Sequence, residues 1–264
     1  RLEPSPVKAL AQELGLPVIE TSRMTPEVMD ELRSCEAALC VVAAYGCILP
    51  DELLEMFTLG CINVHASLLP RWRGAAPIQR AVLAGDERAG ASIMRVVHEL
   101  DAGAYCSQVS TPVAGKTSSE LLDELGCLGA KALVEAIEQI GDGTVAWVEQ
   151  DESQVTYAHK IEKAEMRLDP ADGALANVRR VNASTDAAPA RCEVAGKGVR
   201  VMRACVASDA VAAGEVLVSR GRVLLGCADG SLEVMDVKPD GKREMQACAW
   251  AAGLRGENLT WWRV

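Results

Sequence analysis

Apolar runs alternate with amphipathic segments through the first 150 residues. Short apolar runs bounded by polar residues are typical of β-strands, and they occupy residues 17–19, 37–44, 60–65, 91–97 and 105–109. Apolar residues at helical spacing predict helices from Val7 to Leu14, after Thr25-Pro26, from Pro77 to Ala84 and from Ser118 to Ile140. The run from Ala37 to Ala44 is continuously apolar, as in a strand covered on both faces. Strands alternating with helices predict a Rossmann-like α/β fold, with a mostly parallel sheet and helices on both sides.

The pattern changes after Gln150. Residues 151–168 are polar and charged and are interpreted as a linker, and Asp172 to Val181 is compatible with one helix. Short strand-like runs separated by Gly and Asp turns then follow at residues 199–202, 215–219, 222–227 and 231–237. Strands of this length and spacing predict a small OB-like β-barrel. We therefore expect an α/β domain over residues 1–150, a linker over 151–170 and a barrel over 171–264.

Composition narrows the classes of protein that the chain can represent. Of its 264 residues 49% are hydrophobic, which is enough to bury a core, but no apolar run approaches the roughly 20 residues of a membrane span. There are ten cysteines and no C-x-x-C pair, so we expect no metal site. Cys40, Cys61 and Cys127 lie in apolar patterns, which favours reduced, packed thiols in a cytoplasmic protein.

The net charge of −10 is unevenly distributed. Residues 1–159 carry 11 Lys and Arg against 23 Asp and Glu, whereas residues 160–264 carry 16 against 14. An acidic protein can still bind nucleic acid through a local basic face. The simpler interpretation is that the acidic excess covers solvated helix faces.

Two polar residues on one predicted strand are the first candidates for chemistry. Asn63 and His65 are two positions apart, so their side chains point to the same face of the sheet. An amide beside an imidazole can donate hydrogen bonds to an oxyanion, although an edge strand with one polar face would show the same pattern. Asp101 lies in the turn Leu100-Asp101-Ala102-Gly103 and matters only if that turn returns it to His65.

Two other motifs fail on spacing. Gly115-Lys116-Thr117 lacks the earlier glycine of a phosphate-binding loop, since Ser110 stands at that position. Ser67, His65 and Asp101 have the residue types of a hydrolytic triad, but there is no G-x-S-x-G elbow around Ser67.

Four segments resemble the methionyl-tRNA formyltransferase family in order and spacing. They are V-V-A-A-Y-G-C-I-L-P at 41–50, N-V-H-A-S-L-L-P-R-W-R-G-A-A-P-I-Q at 63–79, G-A-S-I-M at 90–94 and L-D-A-G at 100–103. The N-x-H and D-x-G parts are shared with other folate-dependent formyltransferases, whereas the R-W-R-G-A-A-P-I-Q run resembles the tRNA enzymes specifically. Ala102 and Arg95 depart from the family pattern and are expected to flank the site.

The resemblance implies formyl transfer from 10-formyltetrahydrofolate to the α-amine of initiator methionyl-tRNA, without a metal. Asn63 and a charged His65 would donate to the oxyanion, while Asp101 would favour the imidazolium and take the amine proton. The residues implied to line the folate pocket are Tyr45, Gly46, Cys47, Ile48, Leu49, Pro50, Ser67, Leu68, Leu69 and Pro70. We expect the barrel to bind tRNA and the protein to be a monomer. The candidate phosphate contacts are Arg200, Arg203, Arg220, Arg222, Lys238, Lys242 and Arg243.

Other acceptors remain open on the sequence alone: a sugar or ribonucleotide amine, water in a folate hydrolase, or none in a non-catalytic RNA-binding fragment. The chain opens with Arg1-Leu2-Glu3-Pro4, where the resembling family is already past two strands and a helix. The resemblance therefore implies that those two strands are missing from the sheet. In the sheet they would lie between the strand at residues 18–19 and the strand from Ala37 to Ala44. We expect an unpaired edge or an abnormal pairing there.

Overall fold

Helices in the first half begin where the sequence supplies a capping residue. The computed structural model describes residues 4–46, 49–254 and 259–264. Ser5 caps α1 (Pro6–Glu13) and Thr25 caps α2 (Pro26–Ser34), each by accepting a hydrogen bond from a backbone N–H three residues ahead. Thr117 and Glu120 form a capping box at the start of α5 (Ser118–Gly141). The first half also contains α3 (Asp51–Leu54) and α4 (Pro77–Ala84).

The first sheet has four strands, and the prediction that it is mostly parallel is wrong. Its strands are β1 (Cys40–Val42), β2 (Cys61–His65), β4 (Arg88–Arg95) and β5 (Tyr105–Pro112), in the order β1-β2-β4-β5. Only β1 and β2 are parallel, whereas β2–β4 and β4–β5 are antiparallel. The nine-residue connection between β4 and β5 contains no crossover helix, and strands joined in this way pair antiparallel.

The β1 edge differs from the strand expected over Ala37 to Ala44. The strand is three residues long, and the Val41 side chain is exposed, so it is not covered on both faces. Residues 17–19 do not form the predicted strand. Among the described residues no strand pairs with the outer edge of β1, in line with the unpaired edge expected there.

Helices cover both faces of the sheet, as predicted. Ile62 and Ile93 pack against Ala132 and Ala136 of α5. Because side chains alternate along a strand, Cys61 points to the other face, where a cluster with Met29, Leu53 and Phe57 packs α2 and α3 against the sheet. Asn63 and His65 have the same parity as Cys61, so they point away from α5.

The segment interpreted as a linker contains regular structure that contacts the first half. It includes a 3₁₀ turn at Glu152–Gln154 and the short strand β6 (Tyr157–Ala158). This strand pairs in parallel with β3 (Arg73–Gly74). The sequence did not predict this pairing, because residues 151–168 are polar and a two-residue strand is too short to show a periodic pattern.

A nearly closed antiparallel barrel follows helix α6 (Ala174–Ala183). Its strands are β7 (Arg191–Val194), β8 (Lys197–Ala207), β9 (Val216–Ser219), β10 (Arg222–Cys227), β11 (Gly230–Pro239), β12 (Met245–Gln246) and β13 (Trp261–Trp262), and α7 spans Ala247–Ala251. The path runs β13-β7-β8-β11-β10-β9, with β12 beside β11. Backbone bonds from Val216 to Leu259 and from Trp261 to Gly214 bring the two ends together. The buried Trp261 indole donates to the Gly226 carbonyl.

The nine cysteines in the described part of the chain are free thiols. Cys61 is buried and Cys40 is half-buried, but Cys127 is exposed on α5, so the prediction that it is packed is wrong. Cys127 lies on the solvent side of this amphipathic helix. Its apolar neighbours Leu125 and Leu128 made it look like a core position in the sequence. Within the described ranges, no helix is long and apolar enough to cross a membrane.

Candidate active site

Strand β2 presents Asn63 and His65 on the face opposite α5. Their cross-strand neighbours on β4 are Met94 and Ser92. His65 is 5% exposed, whereas Asn63 is half-buried. Within the described residues the Asn63 side chain has no hydrogen-bond partner, so both of its amide hydrogens are available to a ligand.

Both ring nitrogens of His65 face protein acceptors. Nε2 lies 2.9 Å from the Trp72 carbonyl oxygen, which can only accept, so Nε2 carries a proton. Nδ1 lies 3.6 Å from Asp101 Oδ2. The turn thus brings Asp101 to His65, as the sequence argument required.

The Asp101 turn is held in a backbone conformation that few residues adopt. Asp101 has φ of 49°, a left-handed conformation in which Asp and Asn are enriched among non-glycine residues. Its Oδ2 accepts a 2.9 Å hydrogen bond from the Gly74 N–H. A Cβ on Gly103 would lie 2.1 Å from the Arg95 carbonyl oxygen, so glycine is required there.

The loop at residues 71–76 contacts both His65 and Asp101. Trp72 has φ of 64° and is fixed at three points: its carbonyl accepts from His65, its N–H donates to Thr156 Oγ1 at 2.9 Å and its indole donates to Asp86 at 2.7 Å. Burial acts to raise the pKa of the Asp86 carboxyl, but hydrogen bonds from Arg71 and Trp72 outweigh it and hold the pKa below its ordinary value. Asp86 and Thr156 therefore hold this loop through Trp72.

Three residues of the site were missed by the sequence argument. The guanidinium of Arg73 is fully buried and bonds to Gln150 and Glu152. Gln150 in turn donates to the Asp101 and Gly103 carbonyls. Arg73 could have been suspected from the R-W-R-G run, but Gln150 and Glu152 carry no signal in a single sequence.

The residues implied to line a folate pocket fall into two segments. Tyr45 and Gly46 follow β1, and because Val42 pairs with Asn63, this segment begins beside the candidate catalytic residues. Leu49 and Pro50 lead into α3, while Cys47 and Ile48 lie outside the described residues. The Tyr45 side chain is exposed, so it is accessible to a ligand.

The second segment, Ser67 to Pro70, is rigidly braced. Ser92 Oγ donates to the Ser67 carbonyl and accepts from the Leu69 N–H, while Gln108 donates to the Leu69 carbonyl. Ser67 and Leu69 are buried, and the Leu69–Pro70 peptide is cis. Leu68 packs against Gly90, where a Cβ would approach its side chain to 2.4 Å. The carbonyls of this segment already accept internal hydrogen bonds, so it offers a ligand a preformed surface that includes the half-buried Pro70.

Ser67 does not lie in a catalytic triad, and Arg95 does not lie beside the candidate site. Ser67 Oγ is buried without a hydrogen-bond partner among the described residues, and His65 is bonded to Trp72 instead, so the triad arrangement is absent. Arg95 pairs with Ile62 and therefore points to the α5 face, where its guanidinium lies 4.2 Å from the centre of the Trp147 ring. Arg95 does not flank Asn63.

Comparisons with known proteins identify both halves of the chain. The family described as Formyl transferase matches residues 2–137, and the family described as Formyl transferase, C-terminal domain, matches residues 160–255. A methionyl-tRNA formyltransferase of Methylococcus capsulatus is 43% identical over 265 residues, covering 98% of this chain and 86% of that protein. One from Pseudomonas paraeruginosa is 44% identical over 246 residues, covering 92% and 79%.

Solved structures share the fold at lower identity. HypX from Aquifex aeolicus in complex with tetrahydrofolic acid gives a TM-score of 0.69 at 19% identity, covering 89% of this chain but only 44% of HypX. A methionyl-tRNA formyltransferase from Clostridium thermocellum gives 0.59 at 12% identity, covering 86% of this chain and 92% of that one. The arrangement of an α/β sheet followed by a barrel is therefore that of the formyltransferases.

Proposed function

The chain belongs to the methionyl-tRNA formyltransferase family, and on that premise we propose that it transfers a formyl group from 10-formyltetrahydrofolate to the α-amine of initiator methionyl-tRNA. The observation that carries the proposal is the convergence of Asn63, His65 and Asp101 at one end of the sheet. The His65 Nδ1 to Asp101 Oδ2 distance is 3.6 Å, and within the part of the chain that the structure describes the Asn63 amide has no hydrogen-bond partner.

Asn63 supplies the hydrogen-bond donor for the transition state. When the amine nitrogen bonds to the formyl carbon, the carbonyl electron pair moves to oxygen and creates an oxyanion. The free amide hydrogens of Asn63 can donate to it, and loss of one such donor typically costs roughly 100- to 1000-fold in rate. Collapse re-forms the carbonyl and breaks the bond between the formyl carbon and N10.

Asp101 and His65 are the groups placed to accept or donate protons during the transfer. The Asp101 side chain is 16% exposed, so the carboxylate can accept the proton that the attacking amine loses, directly or through water. The departing N10 gains a proton in the same exchange. For His65 to donate to the oxyanion as well, its Nε2–H would have to leave the Trp72 carbonyl, which it contacts in this structure.

Two segments would hold the folate co-substrate. Tyr45 and Gly46 begin beside Asn63, and Ser67 to Pro70 continue from His65 along the chain. The accessible Tyr45 ring suits a flat pterin, and the braced segment of residues 67–70 gives the pocket a preformed wall. Leu49, Pro50 and Leu68 add apolar surface, and Cys47 and Ile48 complete the set that the resemblance implies.

The barrel supplies a basic surface for tRNA. In the strand register Arg191 lies opposite Arg200 and Arg200 lies opposite Lys238, while a β-bridge joins the backbones of Arg167 and Arg191. The four cations therefore form a row across neighbouring strands. Their neighbours Cys192, Val199 and Val237 are buried, which places the row on the outer face. Asp240 and Asp186 neutralise Arg191 and Arg200 in part. We propose that this row contacts phosphates and that the protein acts as a cytoplasmic monomer.

The other predicted phosphate contacts divide into two groups. Arg222 is paired with Asp209 and Glu233, and Arg203 lies 3.7 Å from Asp236, so both are partly neutralised. Arg220, Lys242 and Arg243 are exposed and form no ion pair within the described residues. The second group is the better candidate for phosphate contacts beside the row.

An acceptor panel tests the proposed function. Transfer of labelled formyl from 10-formyltetrahydrofolate should be fast with charged initiator tRNA and undetectable with uncharged tRNA, sugar amines or water. Faster transfer to an amino sugar, or hydrolysis without an acceptor, would assign the site to another reaction of this fold. Tight tRNA binding without any transfer would indicate a non-catalytic RNA-binding protein.

A further inference from the structure

The Arg73 guanidinium is buried beneath the site and has no part in the proposed chemistry. Its side chain is fully inaccessible, while its ion-pair partner Glu152 is 71% exposed. Removing a guanidinium from water costs several kcal/mol unless hydrogen bonds replace the lost hydration. Bonds of 2.9 Å from Nε to Gln150 Oε1 and 2.7 Å from the guanidinium to Glu152 provide that replacement.

Gln150 is oriented by Arg73. The Arg73 Nε–H is a donor, so the amide oxygen of Gln150 must face it. The amide nitrogen then faces the opposite way, where its two hydrogens reach the carbonyl oxygens of Asp101 and Gly103, each at 2.8 Å. Gln150 is 8% exposed, so water does not compete strongly for these bonds.

These bonds act on a residue with an uncommon backbone conformation. Asp101 adopts a left-handed conformation at φ of 49°, which is energetically unfavourable for a residue other than glycine. Gln150 holds the carbonyls on both sides of Ala102, and Gly74 holds the Asp101 carboxylate. The direction of the carboxylate toward His65 is thus set from residue 150.

We infer that Gln150, oriented by Arg73, is a positioning residue that keeps the Asp101 carboxylate in its reactive place beside His65. This inference rests on the proposed function, because it assigns Gln150 a role through Asp101. It also extends the proposed catalytic site to the last residue of the predicted first domain.

Gln150→Glu isolates the positioning role. The new carboxylate still accepts from Arg73 but cannot donate to the Asp101 and Gly103 carbonyls, and it repels them. Displacement of a catalytic group by about 1 Å can cost about 100-fold in rate, so kcat should fall to that extent while KM for both substrates changes little. Gln139→Glu, on the exposed face of α5, makes the same change of charge and should leave kcat unaltered.

A double-mutant cycle separates positioning from general loss of structure. If Gln150 acts through Asp101, then Gln150→Glu should cause no further loss of kcat in an Asp101→Asn protein. Gln150→Met, which is uncharged and lacks the donors, should behave in the same way and replaces the Glu variant if that one unfolds. Additive losses, or a Gln150→Glu protein as fast as Gln139→Glu, would overturn the inference and leave the proposed function standing. Full activity of Asp101→Asn alone would overturn both.

Discussion

At the scale of single residues, the site depends on backbone groups in uncommon conformations. Trp72 and Asp101 have left-handed backbones with φ of 64° and 49°. The Trp72 carbonyl points at His65, and the Asp101 carboxylate points at His65 and at the Gly74 N–H. Strained residues of this kind persist only where the surroundings fix them. Here the surroundings are Asp86, Thr156 and Gln150.

Gly103→Ala tests the strain in the Asp101 turn. The added Cβ would lie 2.1 Å from the Arg95 carbonyl oxygen, so the turn must shift, and overpacking of this kind costs about 1–3 kcal/mol. We expect a lower free energy of unfolding in urea and slower formyl transfer. Gly126→Ala is the matched control: its Cβ would meet nothing within 4 Å on α5, and a helical glycine-to-alanine change should stabilise by about 0.5–1 kcal/mol. Equal stability of the two variants would contradict the close packing at Gly103.

Strand periodicity was enough to pair Asn63 with His65, because that argument needs only two positions on one strand. Asp101 came from the resemblance, since its turn has no distinguishing residue pattern. Gln150 and Thr156 could not be predicted, because they reach residues 72–103 across about 50 to 80 positions of chain. Such contacts depend on tertiary structure and leave no local pattern in one sequence.

At the scale of elements, the pairing of β6 with β3 supports the loop at residues 71–76. Thr156→Val should test this, because Trp72 N–H would lose the acceptor that lies 2.9 Å away. An unsatisfied part-buried donor costs about 1–3 kcal/mol, and Trp72 would then hold His65 less firmly. We expect a lower unfolding midpoint together with a lower kcat.

Thr144→Val is the corresponding control. Thr144 is exposed, and its hydroxyl makes only a 3.5 Å contact with the Gln139 carbonyl. Its replacement should change stability by less than about 0.5 kcal/mol. If Thr156→Val behaved like Thr144→Val in both stability and kcat, β6 would be a passive connection.

Elements with a continuous amphipathic pattern could be predicted from the sequence, whereas the shortest strands could not. The bounds of α4 match the prediction, and α5 ends one residue later than expected, because both have continuous amphipathic patterns. The direction of β4 and β5 was not predicted, since an apolar strand has the same pattern whether it is parallel or antiparallel. The short strands β3, β6 and β12 have two residues each, too few for any periodicity.

At the scale of the whole molecule, we propose that the first sheet carries out the chemistry and that the barrel binds tRNA. Lys238→Glu reverses a charge in the basic row, so affinity for tRNA should fall and the decrease of log K with log salt should become shallower. Folate binding should be unaffected. Lys131→Glu, on the exposed surface of α5, is the control of equal charge. A similar loss of tRNA affinity in both variants would indicate a general effect of net charge and not a barrel surface.

The central claim is that Asn63, His65 and Asp101 perform the chemical step. The most direct measurement is the single-turnover rate of formyl transfer to initiator methionyl-tRNA at saturating substrates, where binding and release do not contribute. Asn63→Ala, His65→Ala and Asp101→Ala should each slow this step by roughly 100-fold or more, while Ser67→Ala, which removes a hydroxyl without a partner, should be much milder. Near-complete loss in Ser67→Ala with little loss in Asn63→Ala would contradict the account.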